Sequence, residues 1–392
     1  MSASRIAWTI GVLALVAGPS GCKDGGGGDG SGGSSGPTST AGTSAGPTSA
    51  GTADGGTADG SGGTSDSGNP TADDSSSGTD TEGTSWDGYF PPESVWYLDY
   101  SDAAVHPDSE AIVQWLEGAG WGGGDQMRID FSIEVLEADP ATPRMAFEAT
   151  GDFYTPDCDW VEVPVPEGGA LEGEDAYECT NDGDCHLIVV DRSERRLYEM
   201  WRANLTGGTF YGGCLAVWDM DMVYPDTGRG DGCTSADAAG FPIAPLLFDA
   251  DEVTAGEIDH AIRFILPNAN IRDLIYTRPA THSTGATSAP YPAPPYGVHL
   301  RLRPDFDLGS LPSDGARVVA QALQSHGMFL ADGGQITLTA RSDRFTTAKW
   351  DGLLDPYDLS SIRPSDFEVI DWGADIDWST VDCSRTPLGV PP

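Results

Sequence analysis

The chain has 392 residues, with 61 Asp and Glu against 20 Lys and Arg and a formal net charge of −41 at pH 7. So large an acid excess leaves no basic face to neutralise phosphates, which argues against nucleic acid as a partner. An acidic surface of this kind keeps a chain soluble and suits divalent cations or a saline medium.

In chain order, the first element is a short apolar run at 6–17, preceded by Arg5 and followed by Pro19, Ser20, Gly21 and Cys22. A spanning helix needs roughly 20 apolar residues, so the run is the core of a signal peptide and not a membrane span. Ser20, Gly21 and Cys22 resemble the lipobox of bacterial lipoproteins, although Pro19 stands where Leu is usual. The expectation is a signal peptide over 1–21 and a lipid on Cys22; a plain cleaved signal is the alternative. Residues 23–85 carry no aromatic residue and no Leu, Ile, Val or Met. With nothing apolar to bury, ordering entropy is unopposed. Residues 22–85 therefore read as the lipidated Cys and a disordered tether, reaching ~40–50 Å as a flexible coil.

Aromatic residues begin abruptly at Trp86, so 86–392 reads as one folded domain. Apart from Cys22 there are six cysteines: Cys158, Cys179, Cys185, Cys214, Cys233 and Cys383. An even set in an exported chain reads as three disulfides, with fifteen pairings open. Helices are expected at 107–118, capped by Asp108 or Ser109, and at 313–326, capped by Ser313 and closed by Gly327, with a short turn at 251–256. Period-two or β-branched runs at 128–136, 186–191, 196–205, 214–219, 257–266, 297–303 and 335–340 read as strands. The second and third form a hairpin around Arg192, Ser193 and Glu194. The fold class is therefore mainly β, a sandwich or barrel-like core with a few peripheral helices.

Several polar clusters can carry chemistry. His186 opens one strand of the hairpin and Glu199 lies on the other, a possible acid/base pair or two metal ligands. Thr234, Ser235 and Asp237 precede a turn of small residues, Ala238, Ala239 and Gly240, which lets backbone approach closely. Ser235 reads as a turn or cap residue, since no Gly-x-Ser-x-Gly occurs in the folded part. As a strand, 257–266 puts His260 on an apolar face and Arg263 on the opposite one, where it can pair with Asp259. His282 follows a strand and opens a Pro-rich loop, where function often sits. His186, His260 and His282 together suit a zinc or copper ion. Asp366, Glu368 and Asp371 suit calcium or, more simply, solvent. No metal or phosphate motif of fixed spacing occurs.

The order of these pieces resembles that of a family of secreted bacterial proteins. The matching residues are Gly183, Asp184 and His186; Leu197, Tyr198 and Glu199; Thr234 to Gly240; His260, Ala261, Arg263 and Phe264; Pro279, Ala280 and His282; Ala331, Asp332 and Gly334; and Asp366 to Val369. The resemblance covers most of 90–371 and implies export and one fold, but no reaction. This chain departs from the pattern at 115–130, which lacks a His, and in its extra cysteines.

The functional expectation is a monomeric, lipid-anchored protein of the cell envelope, facing outward and acting on polysaccharide. As a glycoside hydrolase it uses Glu199 and Asp237 as the carboxylate pair, with His186, His260, Arg263 and His282 as helpers. As a lyase it sets Arg263 or Arg301 against a uronate. Ten Trp beyond the signal peptide offer stacking surfaces for sugar. The alternatives are a carbohydrate-binding adhesin without chemistry and a His-rich metalloprotein holding a divalent ion. The discriminator is whether the His and acid clusters meet in one cleft.

Overall fold

The computed structural model of the chain describes residues 88–181, 183–335 and 337–390. The expected signal peptide over 1–21, Cys22 and the expected tether at 22–85 lie outside them. The described residues are mainly β, with seventeen strands and three α-helices, as the patterning requires.

Two sheets dominate. A mixed six-stranded sheet runs in the order Ile129–Ile133, Leu338–Arg341, Ile262–Leu266, Met328–Gly333, His299–Leu302, Phe367–Val369. A four-stranded sheet runs Leu215–Asp219, Arg196–Met200, Leu187–Asp191, Val135–Ala138. The chain crosses from the first sheet to the second at Glu134, so the single strand expected at 128–136 is two short ones. Its register already shifts between Asp130 and Ile133.

Period-two alternation in the four-stranded sheet feeds two cores. Ile188, Val190, Leu197, Ala216 and Trp218 join the principal core, shared with the six-stranded sheet and the helices. Leu187, Val189, Tyr198, Met200, Leu215 and Val217 point the other way, into a smaller core with Phe147 and Val163. A sheet covered on both faces is read as a nearly continuous apolar run, and Leu187–Asp191 is buried at every position. The result is a sandwich-like core, and each large apolar side chain buried in it contributes roughly 1.5–3 kcal/mol.

The helices follow their caps. The first spans Ser109–Ala119 and stops at Gly120, whose φ of 80° lies in the left-handed region. Asp108 occupies its N-cap position without a side-chain bond. The second, Ala250–Ala255, has a capping box between Asp249 and Glu252. The third, Asp314–Ser325, is capped by Ser313 Oγ, which accepts from the Ala316 amide at 3.1 Å.

Two expected strands begin late or end early. The strand at 257–266 starts only at Ile262, because the Ala261 amide donates to Trp96 O and not to a ladder. His260 therefore lies in a bend before the strand, and its place on an apolar strand face is corrected. The hairpin arm at 196–205 stops at Met200; Arg202, with φ 57°, turns the chain into a separate three-stranded sheet.

All six cysteines pair: Cys158–Cys214, Cys179–Cys185 and Cys233–Cys383. The last closes 150 residues and ties the C-terminal segment beside the Thr234–Gly240 loop. Among the described residues, no helix is long and apolar enough to cross a membrane.

Candidate functional site

The six-stranded sheet has one apolar face and, at its centre, one polar face. In the strand Ile262–Leu266, Ile262, Phe264 and Leu266 are fully buried in the principal core, while Arg263 and Ile265 line a cavity of about 970 Å³. Asp130 and its register partner Thr339 extend the same polar floor. A bulge completes it. Phe264 pairs with Leu330 but the next residue, Ile265, pairs with Asp332, so Ala331 is extra. A bulge re-aims the side chains that follow it, and here it turns Asp332 onto the face of Arg263. The displaced Ala331 carbonyl accepts from the Ala239 amide at 2.8 Å and so seats the neighbouring loop.

That loop supplies one wall. Ser235 Oγ donates to Phe241 O at 2.6 Å and accepts from the Asp237 amide at 3.0 Å. Ser235 is thus a buried turn residue, as its sequence context suggests. Gly240, at φ 82°, would place a Cβ 2.1 Å from Thr281 Oγ1, so only glycine fits the close approach. The loop aims Asp237 at Arg263. Arg263 Nε and Nη2 donate to the two Asp237 oxygens at 3.0 and 2.9 Å, and Nη2 also reaches Asp332 Oδ2 at 3.3 Å. Asp237 is buried; the Asp332 side chain is 27% exposed, into the cavity. Burial and the Asp237 charge push the Asp332 carboxyl up to about 7, outweighing Arg263.

His186 stands on the opposite wall. Its Nδ1 lies 2.6 Å from Glu172 Oε2 and its Nε2 3.1 Å from Ala236 O. Burial disfavours its charge, but Glu172 overrides burial and raises it to about 9. At neutral pH both ring nitrogens therefore donate, and neither is open to a metal. Burial likewise works against charge on Glu172, yet the imidazolium holds that carboxyl below its usual range. The Glu172 side chain keeps 22% of its surface exposed, on the cavity. His282 is held by Nδ1 donating to Ala238 O at 2.7 Å, edge-on to Trp378. Burial lowers its basicity, so its free Nε2 is an acceptor in the cavity wall. Tyr154, Trp201 and Trp378 supply aromatic surface around the opening.

Comparison with known protein families, curated proteins and solved structures finds no match to this chain. The site therefore rests on its own geometry.

Four of the six expected site residues, His186, Asp237, Arg263 and His282, line this one cavity. Glu199 does not. It is fully buried beneath the loop, where it accepts from Trp218 Nε1 at 2.9 Å and from the Ile243 and Ala244 amides at 2.8 Å. Three donors pin the loop base to the four-stranded sheet, although burial pushes this carboxyl up to about 7. His260 also stands apart, bonded to Ala261 O and Glu252. The expected His186, His260 and His282 triad thus does not converge. Arg263 pairs with Asp237 and Asp332, not Asp259. Arg301 serves Glu368 and the backbone of Tyr100 and Ser101, and does not line the cavity.

The calcium candidates are also spent separately: Asp366 on the Arg363 amide, Glu368 on Arg301, Asp371 on the Gly373 amide. Among the described residues, the two groups with metal-ligand spacing each include two sulfurs already joined in a disulfide. One functional candidate, Glu172, escaped sequence reading, because it sits in a loop with no periodicity. Asp332 is part of the family pattern, but its sequence context reads as a turn unless the bulge is known.

Proposed function

We propose that this chain is an outward-facing, lipid-anchored hydrolase of polysaccharide, with Asp332 as the general acid and Glu172 as the base. The observation that carries it is the pair itself. Two partly exposed carboxyls share one cavity, and their surroundings push them in opposite directions. Such divergence assigns acid and base roles to two otherwise equivalent groups, and glycosidic bond cleavage needs one of each. Asp332, at about 7, holds its proton over much of the neutral range and gives it to the leaving oxygen. Glu172, ionised and oriented by His186, activates the nucleophile or acts as one. Asp237 acts through Arg263: it engages the guanidinium and so leaves Asp332 its proton. His282 Nε2 accepts from a sugar hydroxyl. Trp201 and Trp378 offer faces on which sugar rings stack.

The hydrolytic reading is favoured over a lyase by the state of Arg263. A lyase needs a cation for the uronate, and this one is committed to Asp237 and Asp332. A metalloprotein reading finds His186 spent on Glu172 and Ala236. Three disulfides suit an oxidising, extracytoplasmic compartment, in keeping with the resemblance to secreted bacterial proteins and with a lipid on Cys22. An adhesin would use the same aromatic surfaces without turnover.

The test is a panel of polysaccharides incubated with the full chain, with and without chelator, read by reducing-end release. Cleavage that survives chelator and disappears in Asp332→Asn and Glu172→Gln supports the proposal. Binding without cleavage across the panel favours the adhesin and sinks the hydrolase.

A further inference from the structure

We infer that the cavity takes a glycan bearing free amino groups, a de-N-acetylated amino sugar chain, in preference to a neutral or uronate one. The inference rests on the hydrolytic reading for its catalytic groups but on separate residues for its selectivity. Acidic side chains ring the cavity: Asp130, Asp157, Glu172, Asp184, Asp237 and Asp332 all line it. The cations among the lining residues are Arg263 and His186, and both are engaged. Arg263 binds Asp237, Asp332 and Thr339, and His186 binds Glu172 and Ala236. An anionic sugar would meet no uncommitted positive charge there.

Two carboxylates, by contrast, keep an oxygen without a protein donor among the described residues. Asp184 spends Oδ1 on Trp201 Nε1 at 2.7 Å, and Asp157 spends Oδ1 on the Thr234 amide at 2.9 Å. Each of the two therefore presents its second oxygen for a ligand's ammonium. A separate observation points the same way. His282 is nine-tenths buried, and its unpartnered Nε2 can only accept while the ring is neutral. It therefore calls for a donor, from a hydroxyl or an ammonium. Trp201 adds an aromatic face beside Asp184, and a cation over such a face is attracted by the ring quadrupole. An amino sugar brings the stacking surface, the hydroxyls and the ammonium in one ligand.

The experiment is calorimetric binding to full-length Asp332→Asn, a variant that keeps the acceptor oxygen and prevents turnover. The ligands are a β-1,4-linked glucosamine hexamer, its fully N-acetylated counterpart, a uronate hexamer and a lysine hexamer, at pH 6. The glucosamine hexamer should bind about tenfold tighter than the acetylated one, since charge-assisted bonds are roughly twice as strong as neutral ones. The uronate should bind weakest, and the preference should shrink as salt is raised. Asp184→Asn, made in the same background, keeps the Trp201 bond and removes only charge. It should lower glucosamine affinity severalfold and leave the acetylated hexamer unchanged.

Equal affinity for the two sugars, or an equal loss for both in Asp184→Asn, overturns the inference while leaving the hydrolase intact. Tighter binding of the lysine hexamer than of any sugar overturns the glycan class. Selective glucosamine binding by a wild-type chain that never cleaves it sinks the hydrolase and leaves the inference standing.

Discussion

Two buried Arg–Asp clusters in this molecule are built from the same parts in inverse proportion. In one, Asp159 sits between Arg229 and Arg385. Its Oδ2 accepts from Arg229 at 2.5 Å and the Val217 amide at 2.9 Å, and its Oδ1 from Arg385 at 2.7 Å and the Leu388 amide at 2.8 Å. In the other, Arg263 sits between Asp237 and Asp332. The first carboxylate has four donors and no exposed surface, so nothing remains for a ligand to touch. The second cluster has one guanidinium for two carboxyls, so the second carboxyl, Asp332, has the Gly333 amide at 2.7 Å and only a share of Arg263 at 3.3 Å, beside a cavity. A surplus of cation locks a segment; a surplus of acid leaves a group that prefers its proton. The first cluster fastens the C-terminal segment, and the second is suited to chemistry.

Breaking each cluster should therefore give opposite readouts. Asp332→Asn should lower the hydrolytic kcat by about 10²–10⁴-fold, the usual worth of a general acid, with no loss of thermal stability. Asp159→Asn should do the reverse. It leaves Arg229 and Arg385 buried with one acceptor removed, and unpairing a buried ion pair costs about 3–5 kcal/mol. A shift in denaturant midpoint checks it; an unchanged midpoint would mean the cluster is not what holds the C-terminal segment. Asp237→Asn sharpens the comparison from inside the acid-rich cluster. It removes a like charge from Asp332 and frees Arg263 to turn fully onto it, and both changes lower that carboxyl. The alkaline limb of the pH–rate profile should move down by about one unit, with about fivefold less activity at neutral pH. An unmoved limb would detach Asp237 from the role given to it here.

How much of this was legible in the sequence differs between fold and site for a physical reason. The helices at 109–119 and 314–325 carry their start and stop signals within a few residues, so Ser313 and Gly327 could be placed by local chemistry alone. The first strand of the buried hairpin was equally plain, with Ile188, Val189 and Val190 in a row. Strand order was not, because it depends on pairings between segments far apart, such as Ile129–Ile133 with Leu338–Arg341. Within the site, Asp237, Arg263, His186 and His282 could be singled out as polar residues set among small or apolar ones. Their meeting could not be read, since the bulge at Ala331 and the loop holding Glu172 are tertiary facts. Glu199 misled for an instructive reason. A carboxylate in an apolar strand looks functional, yet three buried donors await it, and the signal for burial and for chemistry is the same residue type.

A further expected effect is on the pH dependence of stability, and it tests whether the acid-rich cluster is strained by its own charge. Asp332 has a folded value near 7 against an ordinary 3.8, so between about pH 4 and 7 the folded chain holds a proton that the unfolded chain has released. Stability contributed by this group is then present at low pH and is lost as pH rises toward 7. His186, raised from 6.5 to about 9, continues the same slope at higher pH: its contribution is full below 6.5 and lost as pH passes 9. Asp332→Asn removes the first of these and keeps the second. The variant should match wild type in urea midpoint near pH 4 and exceed it near pH 7, since Asn offers the Gly333 amide the same acceptor without the charge. Subtracting the two curves cancels the many other carboxylates of this acidic chain. A difference that is flat between pH 4 and 7 would mean that Asp332 ionises freely in the folded state, and the acid role would then fall with it. A difference that opens with pH would mean that the chain gives up stability at neutral pH to keep one proton in the cavity.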